Sequence, residues 1–397
     1  MNRREFIRKT SLATGALLVP QFLKAFELGD ETLPEGYRNL VVVQLSGGND
    51  ALNTVVPYTN DVYYKLRSGI HIKHKDVLSL TDEQALNPAL AAFKKLYDKG
   101  YVAIINAVGY PNPDRSHFRS MDIWHTASDS NKYVSTGWIG RYLDSTCNGC
   151  GKPHGAIEVN DTLSLALKGE TVKGLSVKEV NRLYQATREP FFRELAKPDN
   201  MLDENNLGYL YKTLAETESS AGYIYETSKL YTNNHTYPAG EFGRQLKSIA
   251  TFIQSGMQTR VYYISHGSFD THVGQPGKHE RLLETLGEGI NAFIEDLEKT
   301  NKLNDTLVMV FSEFGRRVEQ NASNGTDHGT AGNMFIIGNK LKKSGVRNAA
   351  PDLTDLQDGD LKHTVDFRSV YATVLKNWLG ANDKEILGEN FTMLDFI

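Results

Sequence analysis

Carboxylate and imidazole side chains occur in four groups that together could hold a metal ion. The groups are Asp50 with Asn53; Asp114, Arg115, Ser116 and His117; His266, Asp270 and His272; and Glu313, Arg316, Asp327 and His328. Neutral histidine and ionised carboxylate are the donors that zinc, manganese and similar divalent ions take. The residue types therefore predict a divalent metal site, provided that the fold brings the groups together.

Each group follows a continuous apolar run of the kind that forms a strand buried on both faces. The runs cover 39–45, 101–105, 260–265 and 306–311, and a fifth run covers 334–337. Apolar residues at helical spacing occupy 88–99, 279–299 and 367–379, so strands and helices alternate. Because ligands of an open parallel sheet bind at the carboxyl ends of its strands, we predict an α/β fold with one active or metal-binding rim.

Each group also has a simpler interpretation when it is taken alone. Residues 46–50 are turn formers, and Ser116 suits the N-cap of a helix over 117–126. Glu313 and Arg316 could form an ion pair, and the Asp-His sequences could be ordinary turns. Unrelated turns are not expected to place these side chains at one end of a sheet, so the joint pattern favours a site.

Residues 175–256 predict an α-helical insertion or cap. The segment is polar, is rich in tyrosine and has no Gly/Ser/Pro-rich run of the kind that makes a flexible linker. A Tyr-rich helical surface of this kind could bind a partner.

The composition of the 397 residues excludes several classes of protein. With 44 Lys+Arg against 48 Asp+Glu, the net charge is -4, which disfavours a nucleic-acid-binding surface. Cys147 and Cys150 are the only cysteines, so there is neither a disulfide framework nor a zinc ribbon. A local bridge and two free thiols both remain open.

The N-terminus reads as an export signal. Basic residues within 2–9 precede an apolar run at 11–19 that is too short to span a bilayer, and Arg3-Arg4 with Phe6 resembles the twin-arginine type. We predict a signal peptide at 1–25 and a mature domain at 38–397 without an integral membrane segment, located in the periplasm or outside the cell. Since this route carries folded proteins, a bound metal or cofactor is expected.

Seven motifs resemble the twin-arginine-exported bacterial family catalogued as domain of unknown function 1501. They are SGGND at 46–50, RSHF at 115–118 followed by Trp124, TGWIGR at 136–141, FDTH at 269–272, SEFGR at 312–316, TDHG at 326–329 and DFRSVY at 366–371. That family is similar in fold to the alkaline phosphatase and sulfatase superfamily. The resemblance implies a three-layer α/β/α domain with a mainly parallel sheet, one or two divalent ions (Zn, Mn or Ca) and a hydroxyl or modified-cysteine nucleophile.

The resemblance also implies roles for several site residues. Ser116 stands where the superfamily has its nucleophile. The implied metal ligands are Asp50, Asp270, His272, Glu313 and His328, and Asp327 is a further candidate ligand from its residue type and position. For metal-assisted displacement at an ester, we expect Arg115 and Arg316 to clamp the anion and His117 to be the acid for the leaving group.

Two departures from the superfamily pattern put one of its two metal sites in question. Asp270 and His272 are spaced Asp-x-His instead of Asp-x-x-x-His, and Phe314 stands where a histidine usually follows the acidic residue. The sequence after Ser116 also lacks the proline of the sulfatase motif Cys/Ser-x-Pro-x-Arg, which disfavours a formylglycine enzyme.

These observations predict an exported metal-dependent hydrolase or transferase that acts on a phosphate or sulfate ester of a small molecule or a glycan. One alternative is a non-catalytic exported protein that binds an anionic glycan or a protein partner and has a degenerate metal site. Another is a phosphomutase-like transferase, which would need a phosphorylated Ser116.

Overall fold

The apolar runs at 39–45, 260–265 and 306–311 form neighbouring strands in the centre of one sheet. The computed structural model describes residues 37–146, 152–195 and 206–397. The predicted signal peptide at 1–25 and the cysteines Cys147 and Cys150 lie outside the described residues.

The described residues form the following strands and α-helices. The strands are β1 (Asn39–Leu45), β2 (Val55–Val56), β3 (Leu78–Ser79), β4 (Ala85–Leu86), β5 (Val102–Gly109), β6 (Ala156–Glu158), β7 (Leu175–Ser176), β8 (Val261–His266), β9 (Thr306–Phe311), β10 (Gly332–Ile337), β11 (Gly345–Val346), β12 (Leu356–Gln357), β13 (Asp360–Leu361) and β14 (Val365–Asp366). The α-helices are α1 (Ala51–Thr54), α2 (Asp61–Leu66), α3 (Ala91–Asp98), α4 (His117–Thr126), α5 (Trp138–Thr146), α6 (Val180–Thr187), α7 (Pro190–Leu195), α8 (Asn206–Ser228), α9 (Glu241–Gln254), α10 (Gln275–Lys299), α11 (Phe367–Thr373) and α12 (Asp383–Leu387).

The described part of the chain has a nine-stranded main sheet in the order β11-β5-β10-β9-β1-β8-β6-β7, with β14 beside β5. The pairs that β1 makes with β8 and β9 are parallel, as are those that β6 makes with β7 and β8. Only β10 runs antiparallel to its neighbours β5 and β9. The sheet is therefore mixed and mostly parallel, as predicted, and β1, β5, β8 and β9 end at the same edge.

Helices cover both faces of the sheet. Successive residues of β1 point into two cores: Leu40 and Val42 pack in one, while Val41 and Val43 pack in the other. The first core also contains residues of α4, α5 and α11, and the second contains residues of α3, α9 and α10. This arrangement gives three layers, and it explains why the strands read as continuous apolar runs instead of alternating ones.

The segment predicted as a helical insertion contains the short strand β7 and the helices α6 to α9. Tyr184 of α6 and Tyr225 of α8 stack with ring centroids 3.8 Å apart. In contrast, α9 packs its apolar face, including Leu246 and Ile249, on the sheet. None of the helices in the described ranges combines the length and apolar composition that a membrane crossing requires.

Glu158 at the end of β6 should make stability depend on pH. Burial raises the pKa of this carboxyl group to about 7, although the Ser164 N–H, 2.6 Å from Oε2, opposes the shift. The folded protein then keeps a proton that the unfolded chain releases near its ordinary value of 4.5. The free energy of unfolding should therefore fall as the pH rises between these two values, by about 3 kcal/mol in total.

Urea unfolding of wild type and Glu158→Gln across this pH window measures the effect. The amide does not titrate, so the difference in unfolding free energy between the two proteins should change with pH and then level off above about pH 7. A difference that stays constant with pH would contradict the prediction.

Candidate metal centre

Three histidine rings converge on the carboxylate of Asp270 beyond the ends of β5, β8 and β9. His117 is the first residue of α4, Asp270 and His272 lie in the loop after β8, and His328 lies in the loop after β9. Asp270 Oδ1 is 3.0 Å from His272 Nε2 and 3.2 Å from His328 Nε2, and Oδ2 is 3.7 Å from His117 Nε2. Ligand atoms of His117, Asp270 and His328 all lie within 4.8 Å of one another. The structure thus brings together four residues from three of the predicted groups.

The other nitrogen of each ring contacts an oxygen that can only accept a hydrogen bond. The pairs are His117 Nδ1 with Glu313 Oε1 at 2.9 Å, His272 Nδ1 with Asp327 Oδ1 at 3.0 Å, and His328 Nδ1 with the Arg115 carbonyl at 2.8 Å. Because carboxylate and carbonyl oxygens do not donate, each Nδ1 must carry the hydrogen, an assignment that follows from the hydrogen-bond pattern. A neutral ring then presents an Nε2 lone pair to the cluster.

The Nε2 lone pairs of His272 and His328 face each other and the carboxylate of Asp270. His272 Nε2 and His328 Nε2 are 3.0 Å apart, and two nitrogens without hydrogens repel at that distance. A positive charge between them, either a metal ion or an additional proton on one ring, removes the repulsion. The hydrogen bond to Glu313 raises the pKa of His117, whereas burial lowers the pKa of His328. Imidazole nitrogens with one carboxylate, each ring oriented by an outer acceptor, fit a divalent transition-metal ion.

Arg316 holds Asp270 from the interior of the protein. Its side chain is fully buried, and Nη2 donates to Asp270 Oδ1 at 2.7 Å. The remaining N–H groups donate to backbone carbonyls, among them those of Gly48 at 2.6 Å and Thr326 at 2.9 Å. Burial opposes ionisation of Asp270, but this hydrogen bond keeps its pKa below the ordinary value. Arg316, predicted to clamp an anion, instead points away from solvent and positions the carboxylate.

Glu313 lies behind His117 and not among the groups that converge on Asp270. Its buried Oε1 accepts from the Gly47 N–H at 2.8 Å as well as from His117. Gly47 has a φ of 117°, and a Cβ there would lie 2.5 Å from the backbone nitrogen of Asp270. Glycine at this position lets the loop after β1 approach both Glu313 and the Asp270 backbone. Glu313, predicted as a metal ligand, therefore orients the His117 ring and does not join the cluster.

Asp327 and Arg115 also act from behind the rings. Asp327 Oδ1 accepts from Asn321 Nδ2 at 3.1 Å and faces His272 Nδ1, and the hydrogen bonds from these two residues lower the pKa of Asp327. The Arg115 carbonyl holds His328, while its guanidinium forms an ion pair with the buried carboxylate of Asp360. Asp327, predicted as a metal ligand, thus orients the His272 ring. Arg115, predicted to clamp an anion, orients the His328 ring through its carbonyl and pairs its guanidinium with Asp360.

Asp50 is held in a buried ion pair with Arg67. Arg67 Nη1 is 2.6 Å from Asp50 Oδ2, both side chains are inaccessible to solvent, and Gln275 Nε2 donates to the same oxygen. The other oxygen caps α1 by accepting from the Leu52 N–H at 3.2 Å. Burial opposes ionisation of Asp50, yet Arg67 keeps its pKa below the ordinary value. Both carboxylate oxygens of this predicted ligand are occupied by protein donors, so Asp50 anchors the loop after β1.

Sequence reasoning missed Arg67 because it is a single arginine without a motif around it. Its Nε and Nη2 donate to the carbonyls of Val318 and Arg317, each at 2.8 Å. These partners lie about 250 residues away along the chain, and no local pattern signals such a contact.

Ser116 lies exposed at the N-cap of α4, next to His117. Its side chain makes no capping hydrogen bond, and its N–H donates to Asp114 Oδ1 at 2.7 Å. The first N–H groups of an α-helix have no helical acceptor and attract anions. The hydroxyl of Ser116 and the first turn of α4 therefore form a solvent-accessible polar edge beside His117.

Comparisons with known proteins identify relatives of this chain. The model of the family described as "Protein of unknown function (DUF1501)" matches residues 106–390, whereas no curated protein matches. Similar solved structures include Ps i-CgsB (11% identity, TM-score 0.42, covering 90% of this chain and 75% of that chain). Another is the sulfatase PsFucS1 from Pseudoalteromonas sp. (12% identity, TM-score 0.39, covering 90% of this chain and 71% of that chain). A third is a protein in the alkaline phosphatase superfamily from Vibrio parahaemolyticus (9% identity, TM-score 0.40, covering 90% of this chain and 70% of that chain). Similarity of this extent assigns neither an activity nor a substrate to this chain.

Proposed function

Because the chain belongs to the family described as "Protein of unknown function (DUF1501)", whose description assigns no activity, we propose a function from the site itself. The protein is a metal-dependent hydrolase of phosphate or sulfate esters. The observation that carries this proposal is the convergence of three Nε2 lone pairs on Asp270, with each Nδ1 already held by an acceptor.

His117, Asp270, His272 and His328 would hold the ion. Three imidazoles with one carboxylate favour zinc or manganese over calcium, which takes oxygen ligands. A divalent ion in this set supplies a Lewis acid that polarises an ester oxygen and lowers the pKa of a bound water or hydroxyl. His117 has both ring nitrogens engaged, one with Glu313 and one facing Asp270, so the geometry supports a ligand role for it over the acid role expected from the sequence.

Ser116 and the first turn of α4 provide the remaining chemistry. The unpaired N–H groups of the turn would hold the anionic end of the ester, a role that Arg115 and Arg316 are not free to take because both are committed to aspartates. The nucleophile is the Ser116 hydroxyl or a water molecule. Its oxygen bonds to phosphorus or sulfur as the bond to the alcohol oxygen breaks, and the alcohol leaves with the proton that the nucleophile gives up. Where Ser116 is the nucleophile, water then attacks the phosphorus or sulfur of the modified serine, which releases phosphate or sulfate and returns the proton to the serine oxygen.

Export through the twin-arginine route to the periplasm or beyond is part of the proposal. It is supported by Arg3-Arg4, Phe6 and the short apolar run at 11–19. The substrate would then be an extracytoplasmic small-molecule or glycan ester.

A specific observation favours a second candidate function. With Asp50 bound to Arg67 and with Arg316 turned inward, the described residues form a single cluster of candidate ligands, and none of the described arginines beside it is free. A protein with this arrangement could bind an anionic ester through a metal ion without hydrolysing it.

Turnover of two chromogenic esters separates the candidates. We expect the zinc- or manganese-loaded protein to hydrolyse either p-nitrophenyl phosphate or p-nitrophenyl sulfate, to lose the activity on chelation and to regain it when the ion is restored. Since the ion polarises the reacting ester, chelation should remove turnover without unfolding the chain, which circular dichroism checks. Binding of phosphate or sulfate without turnover would reject the hydrolase and support the binding protein.

A further inference from the structure

A polar groove of about 510 Å³ lies beside the histidine cluster, and the chemistry above does not use it. One wall is the loop that contains Asn112, Asp114 and Arg115. A second wall is formed by Gln357 and Asp358, and Thr330 also lines the groove. Apart from Asp114 and Arg115, none of these residues was expected to have a role at the site.

The groove lies close to the metal centre, because Arg115 and Phe314 link the two. The Arg115 carbonyl in its wall accepts the hydrogen bond that orients His328. An adjoining cavity shares Asn112 and Thr330 with the groove and reaches Phe314. The Phe314 ring centroid lies 4.8 Å from that of His328 and 4.9 Å from that of His117. The groove is therefore near enough to the cluster for one extended molecule to contact both.

A tight hairpin holds the second wall. β12 and β13 pair antiparallel with Gln357 opposite Asp360, and the two residues that connect them, Asp358 and Gly359, have φ angles of 53° and 84°. Two successive left-handed residues make the hairpin turn that fits the twist of the strands, and Asp and Gly are the residues that tolerate it. Arg317 donates to the Asp358 carbonyl and fixes the turn further. Gln357 and Asp358 are therefore presented from a stiff backbone.

The side chains of the groove are free to bind a ligand. Within the described ranges, no protein group hydrogen-bonds the side chains of Asn112, Gln357 or Asp358, all of which are exposed. Asp114 keeps Oδ2 free, since only Oδ1 accepts from Ser116. These amide and carboxylate groups accept and donate several hydrogen bonds each.

The charges of the groove disfavour an anion. The guanidinium of Arg115 is neutralised by Asp360, which Arg317 also approaches at 3.4 Å. Asp114 and Asp358 then leave the walls negative. Hydroxyl groups are suited to such walls, because they donate to carboxylates and exchange two hydrogen bonds with amides.

We propose that this groove binds the neutral, polyhydroxylated part of the substrate, a sugar ring or polyol, whose ester group lies on the metal centre. The proposal rests on the proposed function for the placement of the ester. The groove itself can be tested without turnover.

The first test compares two substrates in two variants. Gln357→Ala removes an amide, and Asp358→Asn removes a charge while keeping a residue that tolerates the left-handed turn. Each variant should raise KM for a hexose 6-phosphate or 6-sulfate about 5- to 10-fold, the effect of one hydrogen bond, and leave kcat/KM for the p-nitrophenyl ester unchanged. Gln185→Ala, an exposed glutamine of α6, is the matched control. Equal losses on both substrates, or no change on the sugar ester, would overturn the proposal.

The second test separates the groove from the catalytic proposal. Saturation-transfer NMR of the chelated protein with methyl galactoside, glucose and glycerol should show transfer to at least one of them, and Gln357→Ala should weaken it. If a sugar binds while no ester is turned over, the groove stands and the hydrolase fails. If none of the three binds, the groove proposal is overturned even where the aryl ester is hydrolysed.

Discussion

If the proposed centre binds one divalent ion per chain, Asp270→Asn and His328→Ala are expected to weaken that binding severely. His328→Ala removes one of the lone pairs that converge on the centre. Asp270→Asn replaces the carboxylate by a neutral amide. The buried Arg316 cation is then no longer neutralised, and its charge repels a metal ion. Removal of an outer partner alone typically weakens metal binding about 10- to 100-fold, so we expect at least about 100-fold for either ligand.

Elemental mass spectrometry of the purified proteins and competition with a chromogenic chelator measure this effect. Glu313→Gln should give an intermediate loss of about 10- to 100-fold, because it weakens the acceptor that orients His117. His74→Ala, at an exposed histidine outside the cluster, should bind like wild type. If Asp270→Asn and His328→Ala retain a stoichiometric ion with unchanged affinity, the centre is not a metal site.

Arg67→Met is expected to lower the free energy of unfolding by about 3–5 kcal/mol, because it leaves the Asp50 carboxylate buried without its cation. The cost comes from the unpaired charge more than from the lost contact. The double variant Asp50→Asn/Arg67→Met should therefore be more stable than Arg67→Met alone. Urea unfolding of the three proteins measures these differences.

The exposed pair Lys94–Asp98, at 2.5 Å, supplies the matched control. Lys94→Met should change the unfolding free energy by less than about 1 kcal/mol, since solvent screens this pair. Asp50→Asn should leave the metal content at the wild-type level, in contrast to the ligand role expected from the sequence. A double variant less stable than Arg67→Met, or loss of the ion in Asp50→Asn, would refute the assignment of Asp50 to the ion pair.

The fold could be predicted from the sequence because its signals are local. The runs at 39–45 and 306–311 have the bounds of β1 and β9, and the helix expected over 117–126 is α4. Strands buried on both faces have no polar interruptions, so their ends are sharp. The antiparallel direction of β10 was not predicted, because a short apolar run carries no information about its direction.

The site was only partly predictable. The rule that ligands gather at the carboxyl ends of parallel strands led to Asp270, His272 and His328. It did not distinguish Glu313, which turns inward toward Gly47, from Asp270, which points to the cluster. The direction in which a carboxylate points depends on partners from other segments of the chain. Arg67 holds Asp50 and Arg316 holds Asp270, and no spacing pattern in the sequence predicts either contact.

The two buried arginines have a consequence for how the ion is acquired. An arginine keeps its charge throughout the physiological pH range, and neither chelation nor dilution removes it. The carboxylates of Asp50 and Asp270 are therefore neutralised and fixed in place before any ion arrives. Folding would then not require a filled centre. If the protein is exported and metal-dependent as proposed, it can take up its ion after export, and the local supply of zinc or manganese would decide which ion it binds.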